Sequence, residues 1–258
     1  MGHERVGVLP KTKRWVSIVN DISNFSPSAG VQTLASDTLE NVKNRFVSIE
    51  EDSGVHASFK FLVLLSISSK QENPQQFLKQ NGIELPKEFS PLKLAKSLSE
   101  WTSRNAESTE YASFAKHSAI DAISKWYLKH NEGQTNLFTS DSDPIETWKK
   151  ASNGAGFCEL SRLYFSNFTE RYLKYFLERE ASASIESIHE RNVFNEQLNN
   201  HFELVSKHAF ETAKITQSFS AGWFNKYAKT ESPSDKEIEK FLSFSFKKMR
   251  DELSREND

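Results

Sequence analysis

Apolar residues recur along this chain at three- and four-residue spacings, and the runs so patterned are punctuated by Gly, Pro, Ser and Asn. Trp15, Ile18, Val19 and Ile22 follow the i, i+3, i+4, i+7 pattern of a short first helix, which Ser26 and Pro27 close. Val31, Leu34, Ala35, Thr38, Leu39, Val42, Phe46 and Ile49 share one face over about five turns, with Gly54 as the expected stop. From Val55 to Ser69 the sequence is almost continuously apolar and has no resolvable period, but its neighbours favour a buried helix over a strand. Asn73 before Pro74 is a cap followed by the preferred first helical residue, and predicts a short helix ending at Gly82. Ser90 and Pro91 repeat the signal ahead of Leu94, Ala95, Leu98 and Trp101. Ser108 then opens a helix bearing Tyr111, Phe114, Ala115, Ala119, Ala122, Ile123 and Trp126, with Gly133 as its end.

Residues 131–143 form the longest polar stretch and predict a loop or linker. Asp143 and Pro144 restart a short helix through Trp148, and the Asn153–Gly156 segment is read as a turn. Phe157 to Ala181 contains no Gly or Pro. Its apolar positions Leu160, Tyr164, Phe165, Phe168, Tyr172, Tyr175 and Phe176 cover nearly half of a helical wheel, and Leu163, Leu173 and Leu177 add area elsewhere. This predicts a central helix touching several neighbours. Between Ser184 and Tyr227, Leu198, Phe202, Val205, Ala209, Thr212, Thr216, Phe219 and Trp223 alternate spacings of four and three. They predict a packing seam, with Gly222 as a candidate break. Ser234 and Glu237 make a capping box for a last helix carrying Ile238, Phe241, Leu242, Phe246, Met249 and Leu253. No segment alternates apolar and polar residues between hairpin signals. The fold class is therefore all-α: a bundle of about nine or ten helices, with the long ones in the C-terminal half. It spans 14–254 as a single domain, or as two halves (14–130 and 144–254) joined by the polar loop.

Composition narrows the choice of function. The 33 Lys and Arg nearly balance the 35 Asp and Glu, so no global field draws the protein to nucleic acid or an anionic membrane. The lone Cys158 rules out an intrachain disulfide and any zinc site with several thiolates. Met1 to Leu9 lacks the apolar core of a secretory signal, and Phe59 to Ile67 is far shorter than the roughly 20 residues of a membrane span; a cytoplasmic location is expected.

Few residues carry a chemical signature. Cys158 near the start of the central helix is the best single candidate, since a helix N-terminus favours thiolate; a small buried side chain is the reading preferred for it. Glu186 and His189 have the spacing found in di-iron bundles, but no second such pair exists, so a solvent-facing polar pair is expected. His201 and His208, seven apart, lack the arrangement of a metalloprotease helix, and no metal or other cofactor is expected. Asn153, Gly154, Ala155 and Gly156 resemble a phosphate loop in glycine content alone. Cations and rings interleave at Arg162, Tyr164, Arg171, Tyr172, Lys174 and Tyr175, yet the rings belong to the core stripe rather than to a stacking platform.

The remaining candidates concern partners. Arg5, Lys11, Lys13 and Arg14 face only Glu4 in sequence and are followed at once by Trp15, giving a basic arm suited to phosphate or to an acidic protein. Phe244 and Phe246, with Phe241, offer more apolar surface than one helix stripe needs. With common catalytic motifs missing, the leading expectation is a non-enzymatic interaction or assembly subunit of a cytoplasmic complex, with a protein as partner. A nucleic-acid-binding accessory protein acting through the basic arm comes second, for instance in a bacterial antiviral defence system, a context that no residue specifies. An enzyme whose site assembles from distant segments comes third.

Overall fold

The computed structural model describes residues 13–28, 30–42, 49–85, 89–107, 111–131, 144–212, 218–228 and 231–255. Eleven α-helices and no strand occur among them: α1 (Lys13–Ser23), α2 (Gln32–Val42), α3 (Ser53–Ser68), α4 (Pro74–Gln80), α5 (Pro91–Asn105), α6 (Ala112–Asn131), α7 (Pro144–Lys149), α8 (Gly154–Ser184), α9 (Ile188–Thr212), α10 (Ser220–Tyr227) and α11 (Asp235–Arg255). A short 3-10 turn, Lys150–Ser152, joins α7 to α8. The all-helical expectation holds. Of the expected loop at 131–143, Asn131 ends α6; residues 132–143, the basic arm before Lys13, Phe46, Ser108 and Thr216 lie outside the described residues. So do the side chains of Leu39, Val42, Val205, Ala209, Thr212 and Leu253.

At 31 residues α8 is the axis, and α1, α2, α3, α6, α9 and α10 all pack against it. The wide apolar arc read from its sequence explains why: a helix apolar around most of its circumference must be covered on every side. Its rings form a ladder of Phe157, Tyr164, Phe165, Phe168, Tyr172 and Phe176, all fully buried. Neighbouring helices insert their own rings into this ladder. Trp15 of α1 meets Phe176 edge-on at 6.0 Å, Phe59 of α3 lies 5.5 Å from Tyr164, and Phe246 of α11 meets Phe168 at 5.4 Å. Each such pair adds about 0.5–1.5 kcal/mol beyond the area it buries.

The unperiodic run in α3 is apolar on both faces because it is covered on both, by α5 and α6 and by α8 and α11. Two of its buried serines donate to backbone carbonyls, Ser66 Oγ to Leu62 at 2.9 Å and Ser68 Oγ to Leu65 at 2.8 Å, so their burial costs little. In the same core Trp101 Nε1 donates to Ala57 O at 3.0 Å and Tyr164 OH to Val55 O at 3.3 Å.

Several local signals are realised as read. Asn73 accepts from Gln76 N at 3.0 Å, Gly82 adopts a φ of +82° just after α4, and Ser234 and Glu237 exchange the bonds of a capping box. Four glycines behave differently from expectation. Gly54 does not stop a helix; it lies in the first turn of α3, capped by Asp52, where an added Cβ would collide with Ala112. Gly154 and Gly156 are not a turn between helices either. They begin α8 under the cap of Asn153, and Gly156 sits directly against the backbone of Lys150 and Ala151. Gly222 lies inside α10 and breaks nothing. One interruption of the 184–227 run comes at 185–187, where Ile185 turns into the core and Ser187 Oγ accepts from Glu190 N at 3.3 Å to start α9, and α9 and α10 are separate helices.

Helices from either side of residues 132–143 pack together along α6 and α8, where Glu159 accepts from Lys129 at 2.5 Å and from His130 at 3.2 Å.

Candidate functional site

A groove of about 870 Å³ lies between the start of α3 and α11, with Asn105 of α5 also in its lining. Local capping fixes both of its main walls. Asp52 Oδ1 accepts from Gly54 N at 2.8 Å and Val55 N at 3.0 Å, which sets the first turn of α3, and the Ser234–Glu237 box sets that of α11. The two helices are tied by Lys60 Nζ, which donates to Asp235 Oδ1 at 2.5 Å, while His56 Nε2 lies 3.4 Å from Asp235 O. The hydrogen bond from Lys60 holds the Asp235 carboxyl below its ordinary range, against the opposing effect of partial burial. Beneath this tie Phe59 stacks on Phe241 at 5.1 Å.

Phe244 opens into the groove and is 37% exposed. One face of its ring rests on Phe219 at 4.1 Å, and the Lys248 ammonium lies 5.9 Å from its centroid. Glu50, Glu51, Asp235 and Glu239 line the groove against Lys240 and Lys247. The result is a partly exposed ring packed on Phe219 at the surface, within a rim that carries both carboxylates and ammonium groups.

The other sequence-derived candidates are scattered. Trp15 and Phe246 are buried, at 4% and 1% exposure, so both rings serve the core and offer no surface to a partner. Lys13 is exposed at the start of α1; Arg5, Lys11 and the Arg14 side chain lie outside the described residues. Cys158 is buried, and because α8 begins at Gly154 it falls one turn further into the helix than its sequence position suggested. Burial pushes its thiol up to about 11, although Arg162 pulls the other way. Glu186 and His189 are both exposed, and Glu186 precedes the first residue of α9, so the pair does not share a helical face. Burial alone lowers the His201 pKa; the His208 side chain is outside the described set. Among the described residues no three His, Cys, Asp or Glu side chains converge to hold a metal, and no helix is long and apolar enough to cross a membrane.

Sequence reasoning did not anticipate His56, Lys60 and Asp235 at this groove. His56 and Lys60, four apart on one face of an otherwise apolar helix, were the available signal, since a polar pair there needs either solvent or a partner. No protein-family model matches the chain, and no characterised protein or solved structure is significantly similar to it.

Proposed function

We propose that this protein is a non-enzymatic interaction subunit of a cytoplasmic complex, and that the groove between α3 and α11 receives a partner protein segment bearing an apolar side chain flanked by basic residues. The observation carrying this reading is Phe244: a large ring left partly open on a surface where its neighbours hold it in place. Such pre-ordered aromatic anchors provide much of the binding energy at protein interfaces. The carboxylates of Glu50, Glu51 and Glu239 favour a basic flank, which would speed encounter and weaken with salt.

The test is affinity purification of the tagged protein from its own cells, with nuclease, at low and high salt, comparing wild type, Phe244→Ser and the double variant Glu51→Lys/Glu239→Lys. The reading expects a stoichiometric protein partner that withstands nuclease and high salt, is lost from Phe244→Ser, and is weakened by charge reversal chiefly at low salt. Circular dichroism should show both variants folded. Recovery of nucleic acid alone, or equal recovery of the protein partner by Phe244→Ser, contradicts it.

A further inference from the structure

We draw no further inference here: the strongest candidate, the open face of α11 around Phe244, Ser243 and Lys247, belongs to the groove already described, and nothing in the structure shows what covers it.

Discussion

Replacing Gly by Ala should have opposite effects at Gly156 and Gly222, two positions that lie inside helices. At Gly222 an added Cβ meets nothing within 4 Å, so the substitution only recovers helix propensity and reduces the freedom of the unfolded chain, a gain of about 0.5–1 kcal/mol. At Gly156 the same methyl would lie 2.9 Å from the carbonyl carbon of Lys150 and 3.0 Å from the Cα of Ala151, and closer still to the Lys150 oxygen. These are backbone atoms and cannot rotate away, so the 3-10 turn must separate from the start of α8, and with it the packing of Trp148 and Phe157. Overpacking of this kind costs about 1–3 kcal/mol, which outweighs the propensity gain and leaves a net loss near 2 kcal/mol at the upper end of that range. For a chain of this length about 2–4 °C accompanies each kcal/mol, so Gly156→Ala should lower Tm by up to about 4–8 °C while Gly222→Ala raises it by about 1–4 °C. Urea and thermal denaturation followed by circular dichroism measure both. If Gly156→Ala is as stable as wild type, or Gly222→Ala is destabilised, the packing at the start of α8 or the placement of α10 is not as described.

Cys158, with its thiol pushed up to about 11 by burial, should stay unmodified by a disulfide reagent at pH 8 in the native protein and react fully in urea; rapid native reaction would contradict its burial. Asp52→Ala should cost about 1–2 kcal/mol in urea unfolding, because two amides of the first turn of α3 lose a buried acceptor; no loss would contradict the cap. Glu178 has a raised native pKa, so the folded protein keeps a proton that the unfolded chain releases near about pH 4.3, and wild-type stability falls as pH rises from there through the native pKa. Glu178→Gln should therefore be the more stable protein at neutral pH, with the two converging below about pH 4 in a denaturation series; a gap independent of pH would show that titration is not its cause.

Signals confined to one turn were legible in the sequence. Asn73 with Pro74, Ser234 with Glu237 and the apolar circumference of α8 each specify their structure through atoms only a few residues apart. Glycines were the main source of error, because the same residue serves as a stop and as a point of close approach. Only the position of Ala112, or of the Lys150 carbonyl, tells which applies, and both depend on tertiary packing. The break at 185–187 was hidden for a similar reason: Ile185 continues the apolar pattern while its backbone leaves the helix. At the groove, Phe244 was recognised as surplus apolar surface, but Trp15 and Phe246 were grouped with partner-facing residues although Phe176 and Phe168 cover them.

The proposed interaction role is tested most directly at Phe244. A photo-crosslinking phenylalanine analogue placed there, and at the exposed Leu128 as a control, should be irradiated in cells and the adducts resolved by mass spectrometry. A single protein adduct specific to position 244, and lost when Glu51 and Glu239 are reversed to Lys, is the expected result. Identical adducts at both positions, or crosslinks at 244 to nucleic acid alone, would contradict the docking groove and the interaction reading built on it.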